Sequence, residues 1–366
     1  LKKIVFILAL MAAVNMNAAA KDTIKIGVYG NTANASVDAA YKAAEILCAE
    51  MTPAEGLYEF MPVFFDETDT GAADKINSDA ELAAVIGCFS ANDAELVNSI
   101  KEIPLISICE DYASFTGKGN TYRMTASNTE TAAIMARIAP ALFDRMKAAV
   151  LYQSGNEEYE KMAQAYADTS KRNNVDATYI RAFEPGYDFT NVIQRIREIK
   201  VKTIYFIGNQ DDAINLCKQS FEKNTGSVFT GPNFIFDRKF IKETKEASDG
   251  CEFVNTARNS PYGIKKLRPF LTAYEKKYAI KADVKLPHAY DAINIIGLAA
   301  KAGKFGHPDV NGFLKAVSYD GATGKVAFKE SGERRSPEFF FHVIRRKEMF
   351  YMKFDSQMNA RYGKAR

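Results

Sequence analysis

The stretch Ala84–Glu95 (AVIGCFSANDAE) runs from an apolar segment, through small polar residues, into an acidic segment with helical composition. The order is that of a buried strand closing in a loop that opens a helix. Such a junction is the repeating unit of α/β proteins, and ligands of open α/β sheets sit at junctions of this kind. Ser90 and Asp93 stand three apart, the spacing of a reciprocal helix cap. Their mutual bonding would satisfy backbone N–H groups that a bound anion would otherwise use.

Outward from this stretch the same unit recurs. Thr23–Gly30 (TIKIGVYG) is a β-rich run closed by glycine, and Ala40, Ala44, Leu47 and Met51 then recur at helical spacing. Tyr58–Phe65, Ala83–Phe89 and Pro104–Cys109 are further strand-like runs, and 127–143 is a long helical segment. The series restarts with Ala148–Tyr152 as a strand and Glu157–Asn173 as a helix. It continues with strands at Thr178–Phe183, Thr203–Ile207 and Val228–Phe236, separated by helices at Asp188–Lys200 and Asp211–Asn224. Strand and helix in regular alternation predict parallel sheets covered by helices on both faces. Two successive series predict two similar lobes, without an evident repeat in the sequence itself. The C-terminal third breaks the alternation: helices at Ile264–Tyr278 and Pro287–Ala302 are followed by strands at Lys325–Lys329, Phe339–Arg345 and Met349–Phe354. A chain that ends in strands is expected to cross back between lobes.

The 366 residues are 47% hydrophobic and 25% charged, enough for more than one core, and two domains are expected. The formal charge of +3, with no basic stripe interleaved with aromatics, argues against nucleic acid as a partner. Lys2-Lys3, the apolar run Ile4–Val14 and Ala18-Ala19-Ala20 have the order of a secretory signal peptide cleaved near Ala20. The run is shorter than the roughly 20 apolar residues that span a bilayer. An exported, periplasmic protein follows as the expectation, and removal of Lys2 and Lys3 would take the formal charge from +3 to +1. The five cysteines (48, 88, 109, 217 and 251) are scattered, with no Cys-x-x-Cys pair. Buried thiols are the first expectation; export also permits one disulfide within a lobe, whose pairing the spacing leaves open.

Catalytic signatures are missing from the sequence. His288, His307 and His342 lack metal-ligand spacing, and there is no Gly-x-Ser-x-Gly elbow. His307 reads as part of a Gly-His-Pro loop and His342 as a strand residue. Gly321–Val326 has the wrong spacing for a phosphate loop and reads as a turn before a strand. Acid pairs such as Asp211-Asp212 fall at helix starts, where carboxylates favour the dipole. Neither enzyme, metal nor cofactor is expected.

In this order the motifs resemble the periplasmic leucine/isoleucine/valine-binding protein family. The resemblance lies in Leu286–Gly303 (LPHAYDAINIIGLAAKAG), Gly321–Gly332 (GATGKVAFKESG), Pro185–Ile196 (PGYDFTNVIQRI) and Tyr122–Thr125 (YRMT). Each motif is soft, but they are collinear over nearly the whole chain beyond the leader. The resemblance implies an α/β fold of two Rossmann-like lobes, the type I periplasmic-binding fold, with three interlobe crossovers and a central cleft. The lobes would comprise 21–144 with 259–336, and 145–258 with 337–366. A monomer capturing an amino acid, or an amide or related small polar solute, and passing it to the membrane permease of an ABC importer is implied. A ligand-sensing subunit for a membrane receptor is the alternative, with an exported enzyme on the same scaffold behind it.

In amino-acid binders of the family, hydroxyls and backbone N–H groups of the first lobe hold the ligand carboxylate, and an acid of the second lobe meets the ammonium. Matched by position, the first-lobe site comprises Asn31, the loop Ser90-Ala91-Asn92, and Cys109-Glu110-Asp111. The second-lobe site comprises Tyr159, Gln210 and Asn233. Asp111 stands where a threonine is usual, and Asn233 where the acid would be. An added carboxylate facing a ligand carboxylate costs free energy, so the expected ligand offers donors or positive charge. The alternative is that Glu110 and Asp111 face solvent as helix-start acids. With no tryptophan in the chain, aromatic lining would come from Tyr29, Phe89, Tyr112, Tyr159 or Phe234.

Overall fold

A computed structural model describes residues 22–52, 58–109, 113–256, 264–354 and 360–362. The expected leader, Glu110, Asp111 and Tyr112 lie outside them.

The first half forms a five-stranded parallel sheet of β1 (Asp22–Gly30), β2 (Tyr58–Asp66), β3 (Leu82–Gly87), β4 (Leu105–Ser107) and β5 (Thr121–Arg123), in the order β2-β1-β3-β4-β5. Ile24, Ile26 and Val28 of β1 alternate onto one face. There they pack with α1 (Ala35–Met51), whose Val37, Ala40, Ala44 and Leu47 form the buried stripe of an amphipathic helix. Tyr29 points to the other face, towards α2 (Ala72–Ser78) and α3 (Ala94–Ser99), in a separate cluster with Phe89 and Phe115.

The chain then passes through α4 (Asn128–Phe143) into the second sheet. Its parallel part comprises β6 (Lys147–Gln153), β7 (Asp176–Phe183), β8 (Thr203–Ile207), β9 (Val228–Pro232) and β10 (Glu252–Asn255), in the order β7-β6-β8-β9-β10. Position for position this repeats the order of the first sheet, so the duplication expected from the alternation is present in the topology. Helices α5 (Glu157–Arg172), α6 (Thr190–Glu198), α7 (Gln210–Glu222) and α8 (Arg238–Thr244) complete the units.

From β10 the chain returns to the first core. Phe270, Leu271 and Tyr274 of α9 (Arg268–Tyr278) and most of α10 (Leu286–Lys301) are buried with β1 and α1. Val310 and Leu314 of α11 (His307–Ala316) join them. A two-stranded ribbon of β11 (Tyr319–Gly321) and β12 (Gly324–Val326) follows. The chain then crosses a last time. β13 (Phe339–Arg345) pairs antiparallel with β10, and β14 (Glu348–Phe354) and β15 (Ala360–Tyr362) extend that edge. Three passages between sheets result.

Several expectations shift. Val228–Phe236 is a strand only to Pro232; proline lacks the N–H a longer strand would donate, and Asn233–Ile235 is a 3₁₀ turn. Lys325–Lys329 shortens to β12, with a single bridge from Phe328 to Arg334. His307 is not a loop residue: it opens α11, with Pro308 in the first turn, where its missing N–H costs nothing. Helix α4, placed with the first lobe on sequence, buries Ala132, Met135, Ala136 and Ile138 against Ala148, Val150 and Met162 beside the second sheet.

Candidate functional site

The strand order 2-1-3-4-5 reverses direction between its first and third strands, and the crevice beyond the carboxyl ends there is where such sheets take ligands. In the first sheet those ends carry Asn31 and Ser90–Asp93; in the second they carry Gln153–Asn156 and Asn209–Gln210.

The first group closes around one carboxylate. Asp93 Oδ2 accepts from the Ser90 backbone N–H and the Ser90 hydroxyl, both at 2.7 Å, and Oδ1 accepts from the Tyr29 hydroxyl at 2.8 Å. Ser90 Oγ in turn accepts from Asn92 N–H at 3.2 Å. The cap spacing seen in the sequence is therefore realised around the 3₁₀ turn Ala91–Asp93. The Ser90 N–H and hydroxyl, donors that could face an anion, are already bonded to the protein's own acid. Burial, and then the Asp93 hydrogen bond, push the Tyr29 phenol well above its ordinary range. Asn31 accepts from Ala33 N–H at 2.9 Å, shaping the turn after β1.

Behind this loop a disulfide joins Cys88 to Cys109 and ties the ends of β3 and β4 together. The Cys109 carbonyl accepts from Thr125 Oγ1 at 2.6 Å. Thr125 follows β5, so three successive strand ends are fastened side by side, while Cys48, Cys217 and Cys251 are buried thiols.

The second group is organised by Asp212, 4% exposed. Its carboxylate accepts from Gly186 N–H at 3.0 and 3.1 Å and from Asn209 Nδ2 at 2.6 Å. Asn209 caps α7 through Asp212 N–H at 2.8 Å, and its own N–H and amide reach Gln153 Oε1 at 3.0 and 3.1 Å. The loops after β6, β7 and β8 are thereby locked together. Gln210 Nε2 donates to Ile235 O at 3.0 Å and Asp237 Oδ1 at 2.7 Å, fixing the loop after β9. Tyr159 is set by the Asn156 cap, which accepts from its N–H at 3.2 Å. Its ring stacks on Phe234 at 6.2 Å between centroids and 18° between planes. Phe234 is 44% exposed, so the pair presents an aromatic surface beside the strand ends. Burial raises the Tyr159 phenol above its ordinary value.

Two like parallel sheets with polar loops at matching switch points are joined by three chain passages. Residues 66–347 match the periplasmic binding protein family. The chain belongs to that family. A leucine-, isoleucine-, valine-, threonine- and alanine-binding protein of Pseudomonas aeruginosa is 23% identical over 153 residues, 42% of this chain and 40% of that protein, so the match spans about two fifths of the relative's length. Among solved structures, a leucine binding protein from Thermotoga maritima superposes with a TM-score of 0.74 at 16% identity, over 91% of this chain and 99% of that one. An R. palustris ABC-transporter solute binding protein in complex with benzoate gives 0.69 at 16% identity, over 93% and 98%. These likenesses establish the type I periplasmic-binding fold.

Within this periplasmic binding protein, the matched first-lobe residues Asn31, Ser90, Ala91, Asn92 and Cys109 share the β1, β3 and β4 ends. Tyr159, Gln210 and Asn233 share those of β6, β8 and β9. Glu110 and Asp111 lie outside the described residues, so the charge argument built on Asp111 stands as an expectation. Tyr29 and Phe89 are 3% and 2% exposed and stack in the core at 5.5 Å, so they do not line a cleft. Asp93 was read from the sequence as a cap but not as a site residue, and Asp212 was missed as an organising group. The Ser90–Asp93 spacing signalled the first; Asp212 looked like any helix-start acid, and nothing local marks its burial. Among the described residues no group of three His, Cys, Asp or Glu side chains is placed to hold a metal, and no helix is long and apolar enough to cross a membrane.

Proposed function

We propose that the chain is an exported, periplasmic solute-binding protein that captures a small polar solute between its lobes and delivers it to the permease of an ABC importer. The observation that carries this reading is the repeated strand order, which gives each lobe its own switch-point crevice lined by polar loop residues. Membership of the family and the disulfide at Cys88–Cys109, a bond that persists in oxidising compartments, support it.

The chemistry of the loops narrows the solute. In the first lobe Asp93 occupies the Ser90 N–H and hydroxyl, leaving a partly exposed carboxylate where a ligand carboxylate would otherwise find donors. The second lobe brings Gln210, its amide nitrogen held by Ile235 O and Asp237 Oδ1, to the strand ends with Asn233, beside the Tyr159–Phe234 surface. An amide, a cationic group or an amino acid presenting its ammonium to the first lobe fits this arrangement; an aromatic or aliphatic portion would lie on Tyr159 and Phe234. The protein acts by binding, without turnover. A sensor role toward a membrane receptor uses the same site and differs only in the partner that reads the loaded form.

Thermal unfolding in the presence of amino acids, amides, polyamines and aromatic acids tests the reading. A solute at 100 times its Kd adds about 2.7 kcal/mol, a rise of several degrees in Tm. A panel in which no member raises the midpoint would overturn it.

A further inference from the structure

The two remaining cysteines of the second lobe stand together. Cys217 lies on α7 and Cys251 immediately precedes β10, and their sulfurs are 3.7 Å apart. Both thiols approach the same acceptor, the Ala247 carbonyl, at 3.3 and 3.8 Å. Each is 2% exposed, yet both line a surface pocket with Phe221, Thr225 and Asp249, so only their immediate neighbours separate them from solvent. Cys48, by contrast, is buried in the first core with α1. We propose that Cys217 and Cys251 form a second disulfide in the mature protein, a staple between α7 and β10 that gives each lobe one cross-link.

The chemistry is thiol–disulfide exchange with a disulfide oxidant such as glutathione disulfide or an exported thiol oxidoreductase. One cysteine, as its thiolate, attacks an oxidant sulfur, forming a mixed disulfide and expelling one oxidant thiolate. The second cysteine then attacks the protein sulfur of that mixed disulfide, forming the Cys217–Cys251 bond and expelling the other oxidant fragment. The protein loses two protons and two electrons, and the oxidant is reduced to two thiols. Both thiols are 2% exposed in the folded lobe, which limits an oxidant's access to them there, and burial also drives the Cys251 thiol above its ordinary range.

The staple also has a place in the lobe. Cys251 stands at the amino end of β10, whereas Gln210, Tyr159 and Asn233 stand at or beyond the carboxyl ends of the parallel strands. A bond there stiffens the base of the lobe and leaves the crevice free. Oxidation is thus expected to raise the unfolding midpoint without changing solute affinity.

The test is a thiol count on the full chain refolded in a glutathione redox buffer, then alkylated in denaturant at mildly acidic pH, with peptide mapping under non-reducing conditions. The expected result is one alkylated cysteine, Cys48, and a linked Cys217–Cys251 peptide beside Cys88–Cys109. Cys217→Ser and Cys251→Ser should each give two alkylated cysteines and lower the unfolding midpoint equally, the double variant falling no further. Alkylation of Cys48, Cys217 and Cys251 together would overturn the proposal and leave a reduced pair hydrogen-bonded to Ala247. So would a linked peptide pairing Cys217 or Cys251 with any other cysteine.

Discussion

At the scale of single residues, Asp93 sets the polarity of the first-lobe loop. It accepts three hydrogen bonds, two from Ser90 and one from Tyr29. Asp93→Asn keeps one oxygen for the two Ser90 donors, turns an amide NH2 towards the Tyr29 hydroxyl, which can accept from it, and removes the charge. We expect it to weaken an amide or cationic solute about tenfold, roughly 1.4 kcal/mol, and to improve binding of the matching carboxylate; titration calorimetry on the two solutes measures both. Asp212 acts differently, through the backbone. Asp212→Ala would leave Gly186 N–H and Asn209 without their acceptor, and a loss of about 1–3 kcal/mol of stability is expected in denaturant unfolding. The first of these residues was legible because a cap is a local pattern. The second was not, since its partner Gly186 is 26 positions away.

At the scale of elements, the two soft motifs of the C-terminal third turn out to be one contact. Asp291, fully buried in α10, accepts from Ala322 N–H at 2.7 Å and from Thr323 N–H and Oγ1 at 2.8 and 2.6 Å. A Cβ at Gly321 would lie 2.3 Å from an Asp291 oxygen, so glycine is required for the turn to seat on the helix. Gly332 is tighter still: its φ is +85°, a Cβ would lie 1.8 Å from the Thr121 carbonyl, and its own carbonyl accepts from Arg123 N–H. Gly332→Ala is expected to lower the thermal midpoint more than Gly312→Ala, where a Cβ meets open space. Long periodic helices and apolar strands were readable from sequence. β10 was not, because it is four residues long and begins with Glu252, a buried carboxylate held by the two terminal nitrogens of Arg145 at 2.6 and 2.7 Å. A charge in a strand core conceals the hydrophobic run that would announce it.

At the scale of the molecule, the chain's passages between sheets are fastened by buried cations. Arg123, at the end of β5, pairs with Glu333. Arg334, 2% exposed, donates to the carbonyls of Met124, Thr323 and Lys325 at 2.8 to 3.1 Å. The segment leaving the first sheet and the segment leaving for the second thus run side by side. Arg334→Met keeps much of the stem and removes these bonds, and about 1.5–3 kcal/mol of stability is expected to go with them. The alternation of the sequence foretold two lobes, but not where the first crossing falls. The apolar stripe of helix α4 does not itself name a sheet, and in the fold it packs beside the second. The central claim is that one solute touches both lobes. Titration calorimetry of the solute that most raises the midpoint, repeated on Asp93→Asn and Tyr159→Ala, tests this most directly. The account predicts a Kd raised about tenfold by each substitution, one from each lobe. Affinity unchanged in either variant would contradict it.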